Sequence, residues 1–198
     1  MSQYSLEEFL NDCSALCKEY TTNCDIVLEI SPLMQKLILS GTQFLKPEHF
    51  QGNPGHYARN KVYCSDDESL SLFTMVWGPG QWTPVHDHGT WGVVGIVKGS
   101  LEERSYIRMD DMARPDSGID LRRGGNVLLG RGSVTTFVPN PDHIHKTGVS
   151  VQNEQAVSLH LYGSAMNNYH IYDMELGRRK MIMLDDDTLC EEAPTSKA

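Results

Sequence analysis

Residues 80–99 read GQWTPVHDHGTWGVVGIVKG, and this stretch decides how the chain is read. In extended backbone, side chains two apart share a face, whereas neighbours point to opposite faces. His86 and His88 can therefore reach one ion together. Imidazole suits zinc, copper, iron and nickel. The glycines at 80, 92 and 99 bracket the pair, and the run from 92 to 98 has the short apolar texture of a strand.

Working outward, the same texture extends from Tyr57 to about Leu184. The expected strands are 57–64, 70–77, 92–98, 100–108, 126–129, 133–138, 144–150, 155–163, 168–173 and 179–184. Strands this short and this often interrupted by glycine or proline point to a sandwich or barrel rather than to alternating βαβ units. Asp110–Gly118 reads as a polar loop and Gly124-Gly125 as a turn. Upstream the period changes. Ser5 and Glu8 have capping-box spacing, and Phe9, Leu10, Cys13, Leu16, Cys17 and Tyr20 follow at helical spacing. A second helical pattern runs through Ile26, Val27, Ile30, Leu33, Met34, Leu37 and Ile38, with Pro32 marking a break or a new start. Pro47 to Phe50 opens one more short turn. The expected architecture is a single mainly β domain: a helical segment over 1–55, a barrel over 56–184, and a flexible acidic tail over 185–198.

The 198 residues carry 26 acidic and 17 basic side chains, a net charge of −9, which argues against a nucleic-acid partner. No apolar run reaches the roughly 18 residues of a membrane span, so no membrane partner is expected. The segment Met1 to Asn11 lacks the basic-then-apolar order of a signal peptide. Cys13, Cys17, Cys24, Cys64 and Cys190 are odd in number and have no CxxC spacing, which favours a reducing, cytoplasmic setting.

Three further clusters carry polar chemistry. His143 and His145 flank Ile144 and offer a third imidazole; His145, thirteen residues before Ser158, is preferred, with His143 as the alternative. In the segment 157–162, Val157, Leu159 and Leu161 alternate with Ser158, His160 and Tyr162. A row of hydroxyl, imidazole and phenol turned inward must be hydrogen-bonded internally to be tolerated; turned outward it is an ordinary amphipathic edge. Tyr57 and Arg59 share a face, and a guanidinium matches a carboxylate with two parallel hydrogen bonds. Trp77, Trp82 and Trp91 read as walls, Cys64 as a buried strand cysteine, and the nine methionines as core filler.

The order Gly80, His86, His88, Gly99 resembles the first motif of the cupin superfamily, a jelly-roll barrel that grips a metal at its centre. Most metal-binding cupins have a glutamate ligand where this chain has Gly92. An all-imidazole set leaves a cation's charge uncompensated, so such a site favours an anionic donor such as a thiolate. With Tyr57-x-Arg59-Asn60, Pro84-x-His86-Asp87-His88 and Ser158-Leu159-His160-Leu161-Tyr162 in order, the chain resembles the cysteine dioxygenase family of thiol dioxygenases, bacterial type. The resemblance implies Fe(II) held by His86, His88 and His145. It also implies a substrate carboxylate clamped by Arg59 with Tyr57 nearby, and an outer relay of Ser158, His160 and Tyr162. The implied reaction takes a small thiol and O2 to a sulfinic acid, a known rung of cysteine oxidation.

Two departures bear on substrate and maturation. Animal members carry a cysteine that crosslinks to the tyrosine matching Tyr162; here that position is Gly92, so no crosslink is expected. Gly163-Ser164-Ala165 follows the tyrosine, as in relatives that oxidise 3-mercaptopropionate, yet those relatives usually have glutamine in place of Arg59. Arg59 favours L-cysteine, with 3-mercaptopropionate or another mercapto-acid as the alternative. A metal-binding cupin without oxygenase activity, or a non-catalytic binding module, are the readings from other classes.

Overall fold

The computed structural model describes residues 4–139 and 143–184. The expected tail over 185–198 lies outside the described residues. Helix α1 (Leu6–Glu19) starts as its spacing predicts: the Ser5 hydroxyl accepts from the Glu8 amide at 3.1 Å, and the Glu8 carboxylate accepts from the Ser5 amide at 2.8 Å. Helix α2 (Asn23–Leu39) corrects the expected break, because it runs through Pro32 without interruption. Its face of Ile26, Val27, Ile30, Met34, Leu37 and Ile38 is buried on both sides of the proline. That continuous burial outweighs a local cost of about 3 kcal/mol. Pro32 and Leu28, whose carbonyl loses its partner, both lie on the solvent side. Pro47–Phe50 forms a short 3-10 helix.

Eleven strands follow among the described residues. They are β1 (Ala58–Cys64), β2 (Ser71–Trp77), β3 (Val85–His86), β4 (Gly92–Lys98), β5 (Ser100–Arg108), β6 (Leu121–Gly130), β7 (Val134–Phe137), β8 (Ile144–Gly148), β9 (Ala156–Tyr162), β10 (Asn168–Asp173) and β11 (Arg178–Met183). One sheet has the order β1-β2-β9-β4-β7, the other β11-β10-β3-β8-β5-β6, and every pairing is antiparallel. The two sheets and the two helices make the mainly β, jelly-roll architecture with a helical N-terminal cap that the sequence predicts.

Both faces of the first sheet are covered. Leu72, Val76, Val93, Val97, Val157, Leu159 and Leu161 pack outward against α1 and α2. Phe73, Met75, Trp77, Val94, Ile96 and Tyr162 pack inward with Leu101 and Phe137. The alternation along β9 therefore sends Ser158, His160 and Tyr162 into the barrel, and β9 is no edge strand: it lies between β2 and β4.

Three further expectations need correction. Gly124-Gly125 is not a turn; β6 runs through it, and Gly124 is the extra residue between the pairs Ser105↔Gly125 and Tyr106↔Arg123. The reversal is made instead by the polar loop over 109–120, which Asp110 organises by accepting from Arg108 Nε at 2.9 Å and from the Met112 and Asp120 amides. The methionines are not all core filler, since Met109, Met112, Met174, Met181 and Met183 are exposed. Cys64, at the end of β1, is only half-buried.

Gly95 on β4 lets α2 approach closely, because a Cβ there would lie 2.9 Å from Met34 Cγ and 3.2 Å from Ile38 Cδ1. A branched side chain must push the helix off the sheet. We expect Gly95→Val to lower unfolding free energy by about 1–3 kcal/mol, the usual cost of overpacking. Urea denaturation of the two proteins, with unchanged slope, checks this.

Candidate metal centre and its surroundings

A strand of two residues sets the geometry. In β3, His86 pairs directly with His145 of β8 on one side and with Ile171 of β10 on the other. Side chains of directly opposed residues leave the same face of a sheet within contact distance. The His86 and His145 ring centroids are accordingly 4.6 Å apart. The strand expected around His86-Asp87-His88 ends at His86, yet His88 still turns inward, 4.7 Å from the His86 ring and 5.0 Å from the His145 ring. One ring nitrogen from each of the three lies within 4.8 Å of the other two, and all three side chains are buried.

Hydrogen bonding fixes which nitrogens face inward. His86 Nδ1 lies 3.0 Å from the Pro84 carbonyl, and His145 Nδ1 lies 2.9 Å from a Glu103 carboxylate oxygen. A carbonyl and an ionised carboxylate can only accept, so both Nδ1 atoms carry the proton and both Nε2 atoms keep a lone pair. His145 Nε2 and His88 Nδ1 are buried without a hydrogen-bond partner among the described residues. Burial lowers the proton affinity of all three imidazoles, strongly for His86 and His88. Three neutral imidazoles clustered within 4.8 Å, two of them with an unpartnered buried nitrogen, fit a divalent cation that imidazole favours.

Asp87, between two of these histidines, is a clasp. Its carboxylate accepts from the His170 amide at 3.0 Å and from the Tyr172 hydroxyl at 2.7 Å, and it lies 3.7 Å from an Arg179 guanidinium nitrogen. Its own amide donates to the His170 carbonyl at 3.1 Å. The segment bearing His86 and His88 is thereby tied to β10 and β11.

On β9 the expected row is connected. Ser158 Oγ is 2.8 Å from His160 Nε2, and His160 Nδ1 is 3.2 Å from the Tyr162 hydroxyl. Trp77 Nε1 donates to Ser158 Oγ at 2.9 Å, so Trp77 is more than a wall. With Ser158 donating to His160 Nε2 and His160 Nδ1 to the Tyr162 oxygen, the row runs one way from the Trp77 donor. The Tyr162 proton is then free to point at a ligand. Burial takes His160 down to about 3 and, against the opposing influence of Arg59, pushes the Tyr162 phenol up to about 12. Imidazole stays uncharged and phenol stays protonated near neutral pH.

Arg59 lies over the Phe73 ring, 3.7 Å from its centroid, and donates to the Met166 carbonyl at 3.3 Å. Its charge also favours the ionised forms of Tyr57, Tyr162 and Tyr169, against burial, which raises all three phenols. Tyr57 stacks on Trp77 at 4.7 Å, and burial pushes its phenol up. The predicted Tyr57–Arg59 pair is thus joined to the β9 row through Trp77 and Phe73.

Some residues were not legible as part of the site. Glu103 is buried and inward-facing on β5, where its carboxylate lies 2.9 Å from His145 Nδ1 and 3.3 Å from His143 Nε2. Burial alone would raise that carboxyl, but the two imidazoles outweigh it and hold it well below the usual carboxylate range. The available signal was alternation: Glu103 shares a face with Leu101, an apolar position, in an expected strand. His143, the alternative third histidine, lies 4.6 Å from the His145 ring and 3.3 Å from Glu103, and it groups with those two rather than with His86 and His88. Phe137 stacks on His88 at 4.1 Å and covers Gly92 so closely that a Cβ there would lie 2.2 Å from its ring. Trp82 and Trp91 do not join the site: Trp82 carries Arg104 and Lys146 over its ring, and Trp91 is buried in the core beneath α1 and α2.

The family model for cysteine dioxygenase type I matches residues 27–175. The chain is 23% identical to cysteine dioxygenase type 1 of Bos taurus over 151 residues, 69% of this chain and 71% of that protein. It is 25% identical to the Homo sapiens protein of the same name over 129 residues, 65% of this chain and 61% of that one. A solved Klebsiella pneumoniae protein with a double-stranded β-helix domain aligns with a TM-score of 0.47 and 13% identity, over 67% of this chain and 99% of its own. With the family model spanning well over half of its length, the chain belongs to the cysteine dioxygenase type I family, a family of thiol dioxygenases within the cupin superfamily.

Proposed function

We propose that this protein oxidises L-cysteine to cysteine sulfinate with O2, using Fe(II) held by His86, His88 and His145. The observation that carries the reading is the convergence of three buried imidazoles within 4.8 Å of one another, with His88 Nδ1 and His145 Nε2 lacking any other partner among the described residues. Iron bound there would supply the site at which thiol sulfur and O2 meet. The reaction adds both oxygen atoms to one sulfur, R–SH + O2 giving R–SO2H, and needs no further reductant.

The protein's part is to place and shield the substrate. Arg59 holds the substrate carboxylate by charge-assisted hydrogen bonds, using a guanidinium already seated on Phe73 and the Met166 carbonyl. Tyr57, stacked on Trp77, forms the wall beside it. Tyr162 donates a hydrogen bond to the reacting groups and keeps its proton throughout, since burial holds it near 12. His160 and Ser158 aim that donor by occupying the other side of the phenol oxygen. Cys13, Cys17 and Cys24, free among the described residues, support a reducing, cytoplasmic setting. No helix among the described residues is long and apolar enough to cross a membrane.

Iron-loaded protein incubated in air with cysteine, 3-mercaptopropionate, cysteamine and mercaptosuccinate, with sulfinate scored by mass, tests the reading. Cysteine is expected to give the highest kcat/KM. Preference for 3-mercaptopropionate would replace the substrate, and no sulfinate from any thiol would overturn the reaction. Arg59→Ala is expected to raise KM for cysteine at least tenfold while leaving cysteamine, which has no carboxylate, nearly unaffected. His88→Ala is expected to lose iron and oxygen uptake together; unchanged turnover would remove His88 from the ligand set.

The neutral state of His160 has its own signature. Its folded pKa of about 3 lies below an unfolded value near 6.5, so below pH 6.5 the unfolded chain binds a proton that the folded one refuses. Stability is therefore lost as pH falls, at up to about 1.4 kcal/mol per pH unit for this one group. Urea midpoints measured from pH 7 to pH 4 are expected to fall less steeply for His160→Gln, by about one proton's worth of slope.

A further inference from the structure

Position 92, where most metal-binding cupins have a glutamate ligand, is glycine, and the Asp87 carboxylate between the paired histidines is taken by His170, Tyr172 and Arg179. The fold supplies one from a different strand. Glu103 on β5 pairs with Thr147 of β8, two residues along from His145, so its inward side chain meets His145 on the diagonal. Its Oε1 lies 2.9 Å from His145 Nδ1, while the opposite ring nitrogen, Nε2, is buried without a partner among the described residues. The same oxygen lies 3.3 Å from His143 Nε2, and Thr135 Oγ1 donates to the other oxygen at 3.4 Å. The carboxylate is thus gripped from three sides and buried.

Resting on the reading of His86, His88 and His145 as metal ligands, we infer that Glu103 is the positioning residue of the centre. It fixes the His145 tautomer, holds the ring's orientation, and places the missing negative charge one imidazole away from the cation. His143 and Thr135 brace it. Three consequences follow from chemistry alone. An ionised carboxylate only accepts, so His145 must carry its proton on Nδ1 and present a lone pair at Nε2. A hydrogen bond from Nδ1 to an anion makes the imidazole a stronger donor to metal. The charge is delivered without occupying a coordination position, which leaves more of the cation's sphere for substrate than a directly bound glutamate would. His143, braced on Glu103, is thereby given a task other than coordination.

Cobalt(II) titration of metal-free protein, followed by its visible absorption, tests this without reference to turnover. Glu103→Ala is expected to weaken cobalt binding by about 10–100-fold, the usual effect of removing such a partner. Glu103→Gln keeps an accepting oxygen but not the charge, and is expected to fall between Glu103→Ala and the parent protein. Circular dichroism identifies any variant that fails to fold. For that case, long-range nitrogen–proton NMR of the metal-free parent protein reads the tautomer directly, and His145 is expected as the Nδ1–H form. Folded variants that bind cobalt within twofold of the parent, or a His145 with its proton on Nε2, would overturn the role of Glu103. If the parent protein itself binds no cobalt, the ligand assignment fails instead, which separates the two outcomes.

Discussion

Burying three imidazoles against one another without a proton is the constraint on which the rest of the site depends. Each ring would be easier to bury with an acceptor at its N–H and a donor at its lone pair, and a protonated ring would be repelled by a charged neighbour. The protein meets both conditions by giving outward Nδ1 atoms fixed acceptors, the Pro84 carbonyl for His86 and Glu103 for His145. The register between β3 and β8 then brings the remaining lone pairs face to face. Slipping that register by one residue would turn His145 away and bring in Ile144 or Lys146. Much of the surrounding order serves to prevent this slip.

The helices and the first sheet make up the other half of that order. Helix α2 lies on β4 through the gap at Gly95, and β4 in turn borders β9, whose inner face carries Ser158, His160 and Tyr162. The outer residues of β9 are thus locked by an apolar layer while its inner residues form a hydrogen-bonded row. A hydroxyl, an imidazole and a phenol can stand in a barrel interior only because each satisfies the next. Trp77 closes the row at its far end, and its ring also supports Tyr57. The row and the Arg59 wall are therefore parts of one packed unit.

Period was the most legible feature of the sequence. The helix capped by Ser5 and the alternation of β9 follow from spacing alone, and the structure has both; His86 and His88 also come together, although the strand stops at His86. Legibility failed where tertiary burial overrode local preference. Pro32 stayed within a helix because the apolar face around it continued, and Gly124 became a bulge because the reversal lay elsewhere. It failed again wherever the decisive contact crossed between strands distant in sequence. Glu103 and His145 are 42 residues apart, and Asp87 meets His170 across 83. Spacing within one element cannot report such pairs. An acid on the apolar face of a strand was the one available clue, and it needed the partner's position to acquire meaning. Phe137, which fills the space above Gly92, left no mark at all in the local pattern.

The tie between Asp87 and the last hairpin has an implication for the order in which the protein is made. His86 and His88 leave the ribosome long before His170, Tyr172 and Arg179, the groups that hold the intervening aspartate. Until those later residues emerge, the early histidines belong to an unsecured loop with one edge of its strand unpaired. The final arrangement of His86 and His88 is thus a late event in the life of each chain, after nearly all of the barrel has been synthesised.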